Sequence, residues 1–519
     1  MPVTPSRQVP DDGRSLALRA SLLHPSVSPR LPGGEEPTPT LYVRNRLLVS
    51  GAPVGGDVEA QLDPLRAALA ELGLQARVPA DVARRRERLS RGGRRLQELL
   101  DAVSAYPVVL EAVGDGPAPP PDAWVVLQRL RITAPEVAAT LSLDHIVRSA
   151  DGYWGGVDGY WGGVDGFWGG VGARWDGTGP RGMAEYGTPG RGGRMPVTLG
   201  LPDPSTRARV LARHPVVALP DTGIGRHPWF DDHPRVLRDV AYAGQLIGGP
   251  DADLAGTRPD ALTGQVGRDV GHGTFVAGLV RQGCPEASLL TVPVLTGTGV
   301  AEEADVLDAL TALLLRHVEG QQAADPAGRD QVIDVLSLSI GYYPESVADV
   351  PTSPLARLLR RFGEEGVLVV AAVGNDATPA PFVPAALAGR TGRDALPVVG
   401  VGALNPDGST VALFCNAGPH VSTHRPGVAI VSTVPTADAG LQPSTVAGLD
   451  DGLRRTTLDP DNYAGGFAIW SGTSFAAPVL AAELAARLAE ADDLEDVSAQ
   501  AMRARGWDAL RACVGWSPA

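Results

Sequence analysis

Five short, predominantly apolar runs, at 216–219, 289–294, 332–338, 367–373 and 398–401, are the strongest constraint on how this chain can fold. A strand with one wet face alternates apolar and polar residues. These runs do not alternate, so each needs cover on both faces, as in a parallel sheet. Parallel neighbours require long crossovers, and helix-forming patterns at 304–318 and 354–366 supply them. The spacing predicts an α/β, doubly wound domain over 201–519, with its reactive groups at the carboxyl ends of the strands.

Four polar residues stand at such places. Asp221 closes the first run in Leu219-Pro220-Asp221-Thr222-Gly223, where its carboxylate can accept a hydrogen bond from a neighbour. Asp-Thr-Gly also marks aspartic peptidases, but those need two carboxylates sharing a proton, and no second Asp-Thr-Gly or Asp-Ser-Gly occurs. His272 lies between two glycines in Gly271-His272-Gly273-Thr274, open to close approach on either side. Its side chain alone has an ordinary pKa suited to taking and returning a proton near neutrality. Asn375 ends the run at 371–376, and its amide can donate to a developing oxyanion. Ser474 opens the helix pattern that follows Ser471-Gly472-Thr473, among unpaired backbone N–H groups and at the positive end of a helix dipole. Singly, these are a turn residue, a loop histidine, a turn-forming Asn and an N-cap. Together they supply a base, its partner, an oxyanion donor and a nucleophile.

In that order and setting the segments resemble the signature blocks of the subtilisin-like serine peptidases, over roughly the C-terminal three-fifths of the chain. The Asp–His–Ser order is that family's own. The resemblance implies a subtilisin-like three-layer domain, its mostly parallel sheet flanked by helices, and a serine endopeptidase without a required cofactor. By it, Ser474 is the nucleophile, His272 the general base, Asp221 its orienting partner and Asn375 the oxyanion donor. Leu338-Ser339-Ile340-Gly341 resembles the family's substrate-pairing strand, and Gly297 and Gly299, in 295–299, resemble its opposite edge. Ala372 and Gly374 complete the expected substrate-binding set. An extended peptide between two such edges is bound by β-augmentation. Phe275 and Phe475 stand where many relatives have His and Met, both packing positions. Tyr342 replaces a common second glycine, narrowing the adjoining subsite.

Upstream, 1–40 is Pro-, Ser- and Arg-rich and is expected to lack structure. Residues 41–149 read as a small α+β domain: strands at 41–43, 47–49, 108–110, 124–127 and 145–147, and helices at 58–74, 82–103 (interrupted at Gly92-Gly93) and 135–141. Family members commonly carry an α+β propeptide here. Two readings stay open: a self-cleaved propeptide, or a permanent regulatory domain. Arg84, Arg85, Arg86, Arg88, Arg91, Arg94 and Arg95 form either a solvated face or a patch that docks on an acidic surface, including one on this same chain. Residues 150–200 are a Gly-rich linker opening with three tandem heptads, from Asp151, Asp158 and Asp165.

A net charge of -14 argues against general nucleic-acid binding. Three cysteines do not make a disulfide framework or a zinc site. No metal is assigned. The aspartates at 450, 451, 459 and 461 read as an acidic surface loop or a structural calcium site, and 227–233 resembles a metal cluster only superficially. No signal-like or membrane-spanning run is present, so the expectation is a soluble, cytoplasmic protein acting on an extended peptide or protein, without membrane or nucleic-acid partners. The competing class is a catalytically inactive binding module on the same fold, which the four filled positions oppose.

Overall fold

The N-terminal unit holds a four-stranded antiparallel sheet of β2 (Thr40–Ser50), β3 (Leu74–Arg77), β4 (Ala105–Ala112) and β5 (Leu141–Ser149), with a further strand, β1 (Ala20–Leu23), paired along the start of β2. The computed structural model describes residues 19–51, 62–89, 92–114, 120–150, 194–255, 267–323, 325–436 and 465–519, with the backbone of 447–448 and 454–455. The strand order runs β5-β2-β4-β3. Helices α1 (Asp63–Ala70), α2 (Ala80–Leu89), α3 (Arg94–Val103) and α4 (Ala123–Thr133) accompany it. Leu47, Leu65, Leu69, Tyr106, Val108, Trp124 and Leu127 fill its own core.

Two expectations are corrected here. The apolar run at 124–127 is helix, not strand. Asp122 caps it, its Oδ1 accepting from Trp124 N at 3.0 Å and Val125 N at 3.3 Å, and Ala123, Trp124, Val126, Leu127 and Leu130 are all buried. A four-residue apolar run does not distinguish strand from helix; the cap does. The supposedly unstructured 1–40 segment contains β1, whose backbone pairs with residues 40–43 and whose Leu23 is fully buried. Its low apolar content hid a short edge strand that draws stability from its neighbour. Residues 1–18 lie outside the described residues, as do the heptads at 151–171 and the aspartates at 450, 451, 459 and 461.

The second unit is the parallel sheet the apolar runs demand. Its strands are β6 (Val216–Asp221), β7 (Val236–Leu237), β8 (Ser288–Pro293), β10 (Val335–Leu338), β12 (Leu368–Ala372), β13 (Val398–Leu404) and β14 (Thr423–Pro426); β9 (Val300–Glu302) and β11 (Ile340–Gly341) stand apart from it. The order is β14-β13-β12-β10-β6-β8-β7, every pair parallel. Helices α5 (His272–Gly283), α6 (Glu303–Gln322), α7 (Pro354–Glu364), α8 (Thr473–Leu488) and α9 (Ala499–Val514) cover its faces. Residues 368–372 are buried without exception, as two-sided cover requires.

The two units share a sheet. β5 pairs antiparallel with β9 on one side and β11 on the other, continuing the N-terminal sheet into the second unit. Leu96, Leu99, Leu100 and Val103 of α3 belong to the large core rather than to their own, packing on α6 and α7. Arg85 pairs with Asp308 at 2.6 Å and Arg95 with Glu365 at 2.9 Å. Those two pairs are partly exposed and worth little each; the buried leucines carry most of the joint.

Candidate active site

Asp221 ends β6, and its Oδ1 lies 2.7 Å from His272 Nδ1. The same oxygen accepts from Thr222 N at 2.7 Å, which fixes the carboxylate plane. His272 is the first residue of α5. Its position is held from beneath by Asp253, a buried carboxylate accepting from Gly271 N (2.8 Å), Thr274 N (2.9 Å) and Thr274 Oγ1 (2.5 Å). Burial pushes the Asp253 carboxyl up to about 6. As a cap at a helix N-terminus it does what the dipole favours. Nothing near it in sequence announces this, and the sequence reading missed it.

Gly273 is required where it stands: a Cβ there would lie 2.2 Å from Gly223 O and 3.1 Å from Asp221 Oδ1. Gly273→Ala is therefore expected to push the His272 turn off Asp221 while the chain still folds and, on the expected peptidase activity, to lower kcat by about 10². Circular dichroism beside peptide hydrolysis checks this.

The His272 ring packs against Phe475 (centroids 5.3 Å apart) and Trp470 (5.7 Å), so it sits beside the turn that carries Ser474. Ser474 is in the first turn of α8 and fully buried. Pro478, four residues on, has no N–H to give the Ser474 carbonyl. Ser339 Oγ takes that place at 2.7 Å, and Ser474 Oγ donates in return to Ser339 O at 3.2 Å. Asn375 follows β12; its Oδ1 accepts from Thr473 N at 2.9 Å, which leaves its Nδ2 aimed at the end of β5.

There Nδ2 donates to the carbonyl oxygen of Ala150, which Thr473 Oγ1 also approaches at 3.5 Å. Ala150 N donates to Ser339 O at 2.9 Å, and Ser149 N to Gly299 O at 2.8 Å. Ile340 and Gly341 stand opposite Ser149 and Arg148. Of the sequence-predicted residues, Ser339, Ile340, Gly341, Gly299 and Asn375 thus meet around the end of β5. Leu338 and Ala372 are buried within the parallel sheet instead. Gly297 lies against Gly267, and Gly374 N donates to Thr473 Oγ1 at 3.1 Å. Val300, Ala301 and Glu302 of β9 form the second edge beside β5, and sequence reasoning missed them. Their three-residue run carries no strand signal of its own.

Tyr342 stacks on His145 of β5 at 4.2 Å, so the position expected to narrow a subsite holds the N-terminal unit. His145 lies between Glu303 (2.6 Å) and Glu345 (2.7 Å). Burial alone would lower its pKa, but the two carboxylates prevail and push it up to about 10. Among the described residues no cluster of three or more His, Cys, Asp or Glu side chains is arranged to hold a metal ion, and no helix is long and apolar enough to cross a membrane.

A family model described as "Subtilase family" matches residues 212–507. Serine protease AprX of Bacillus subtilis is 27% identical over 315 residues, 56% of this chain and 61% of that protein. The subtilase-type proteinase RRT12 of Saccharomyces cerevisiae is 30% identical over 216 residues, 41% of this chain and 36% of that protein. A thermophilic serine proteinase of a Bacillus species is 27% identical over 219 residues, covering 42% and 45%. The chain therefore spans between about a third and three-fifths of the length of these relatives. Among solved structures, a cold adapted subtilisin-like serine proteinase (TM-score 0.34, 79% of that chain) and a lanthipeptide protease (TM-score 0.37, 78%) each align with 56% of this chain at 20% identity. With the matched family region spanning more than half of its length and taking in Asp221, His272, Asn375 and Ser474, the chain belongs to the subtilase family.

Proposed function

We propose that the chain is a serine endopeptidase that cleaves itself after Ala150 and is then held in check by its own N-terminal unit. The observation that carries this is the Ala150 carbonyl: its oxygen accepts from Asn375 Nδ2 while Ala150 N is bound to Ser339 O. Such placement, between two strand edges and on an amide donor, suits a carbonyl about to gain negative charge.

In this reading Ser474 Oγ attacks the Ala150 carbonyl carbon as His272 takes its proton, and Asp221 stabilises the imidazolium. Asn375 Nδ2 and the Ser474 N–H hold the tetrahedral oxyanion. The bond to Asp151 breaks, and His272 returns the proton to the departing amine. Water, deprotonated by His272, then splits the acyl-enzyme and frees Ser474. Because Ser474 Oγ donates to Ser339 O in the present rotamer, attack requires that hydroxyl to turn toward His272. The cleaved unit stays seated through α3, the Arg85 and Arg95 pairs and the shared sheet, which supports an inhibitory role.

Intact mass and fluorophosphonate labelling of the parent and of Ser474→Ala test the proposal. The parent is expected to separate into two pieces at Ala150–Asp151 and to label on the larger; the variant stays whole and unlabelled. A parent that labels but stays whole keeps the peptidase and makes the N-terminal unit a permanent regulatory domain. A parent neither cut nor labelled overturns the reading.

A further inference from the structure

We propose that the cleft selects an arginine two residues before the carbonyl that is cut, and that Asp376 is the residue that reads it. This deepens the peptidase reading above and rests on it. Arg148 precedes Ala150 by two, pairs across to Gly341, and keeps only 12% of its side chain exposed. Its Nη2 forms an ion pair with Asp376 Oδ2, and its guanidinium lies 5.6 Å from the Tyr343 ring centroid and 5.5 Å from that of Phe382. A planar, delocalised cation over two aromatic faces and against a carboxylate is a setting for Arg rather than Lys.

The carboxylate is held in place by residues other than the arginine. Tyr343 Oη donates to Asp376 Oδ2 at 2.6 Å, and Asn416 Nδ2 donates to Tyr343 Oη at 2.8 Å. Asn416 Oδ1 in turn accepts from Asp376 N at 2.9 Å and Thr378 N at 3.3 Å, while its Nδ2 also reaches Val373 O at 2.9 Å. This closed set of bonds ties Asp376 to the loop bearing Asn375, so reading the arginine and polarising the carbonyl share one support. A carboxylate with only 14% of its side chain exposed is costly without a cation. A peptide lacking the arginine leaves it with the phenol alone.

A second acid reads the intervening residue. Ser149 Oγ donates to Asp269 Oδ2 at 2.8 Å, beside Gly299 at φ +76°, where a Cβ would lie 1.6 Å from that oxygen. Ala150 itself is buried, with 3% of its surface exposed. The favoured substrate class is thus an extended segment with Arg, a small hydroxyl residue and a small apolar residue before the cut. The chain's own 148–150 is one instance.

Two internally quenched peptides covering residues 144–153, one as in the chain and one with Ala in place of Arg148, test this on the full-length protein after its own cleavage has run to completion, each at concentrations high enough to displace the seated N-terminal unit from the cleft. The parent is expected to favour the arginine peptide in kcat/KM by roughly 10- to 100-fold, the range of a hydrogen-bonded charge pair. Asp376→Asn should bring that ratio close to one, and Asp376→Arg should turn it toward a peptide with Glu at the same place. Tyr343→Phe, which keeps the ring and removes one bond to Asp376, should lower the ratio part of the way, and it decides the matter if Asp376→Asn does not fold. Equal rates on the two peptides by a parent that labels with fluorophosphonate overturn the selectivity and leave the peptidase standing. An unchanged ratio in Asp376→Asn overturns the assignment to Asp376. No labelling and no hydrolysis of either peptide refutes the peptidase reading itself.

Discussion

Asp221→Asn is expected to lower kcat about 10⁴-fold with the fold intact, the scale seen in serine-peptidase triads generally. The amide oxygen can keep both bonds that Asp221 Oδ1 now accepts, from His272 Nδ1 at 2.7 Å and Thr222 N at 2.7 Å. What disappears is the negative charge that stabilises the imidazolium, in a pocket where Asp221 and His272 are almost wholly shielded from water. KM should change little, because Asp221 touches no part of the segment lying in the cleft. Single-turnover hydrolysis of a peptide, with thermal unfolding to show the variant folded, checks both statements. A loss smaller than tenfold would remove Asp221 from the proposed mechanism.

The second large effect is expected at His145. Replacing it by Ala leaves Glu303 and Glu345 buried without the cation between them, a change on the order of 3–5 kcal/mol for a broken buried pair. Ser474→Ala, which cannot cut itself in the proposed mechanism, provides the background, and the loss appears as a lower Tm of the N-terminal unit. The groups facing His145 are Glu303 at the start of α6, Glu345 after β11, and Tyr342, whose hydroxyl donates to Glu303 Oε1 at 2.9 Å. Burial disfavours the charged carboxylate of Glu345, but the His145 cation outweighs it and holds its pKa below the ordinary value. Burial and the Glu303 charge hold the Tyr342 phenol well above its usual range, so it stays neutral throughout.

The direction with pH follows from His145. Its ordinary pKa of 6.5 rises to about 10 in the joint, so the seated state binds the extra proton. The added stability is complete below pH 6.5 and is lost as pH rises through 10. The Tm of Ser474→Ala should therefore fall between pH 7 and pH 10, and should fall less when His145 is also Ala. An identical pH dependence in the two chains would exclude His145 as its source.

Much of the parallel domain was legible because its signals are local. Unbroken apolar runs at 216–219 and 367–373 fit strands covered on both faces, and the helix patterns alternating with such runs point to parallel connections. The placements of Asp221, His272, Asn375 and Ser474 were legible for the same reason, each lying at a strand end or helix start. The strand at 124–127 failed because the deciding feature was the Asp122 cap rather than the apolar run.

Other features had no local signal at all. Ala150 and Asn375 are 225 residues apart, and nothing in either segment names the other. The same holds for Arg148 with Asp376, and for His145 with Glu345, 200 residues further on. By itself the sequence determined the sheet, its parallel sense and the identity of the residues at its carboxyl ends, since periodicity and backbone-permissive glycines act over a few neighbouring positions. Only the tertiary structure decided that residues 148–150 meet Ser339, Asn375 and Asp376, because pairing across hundreds of residues depends on shape and charge brought together by folding.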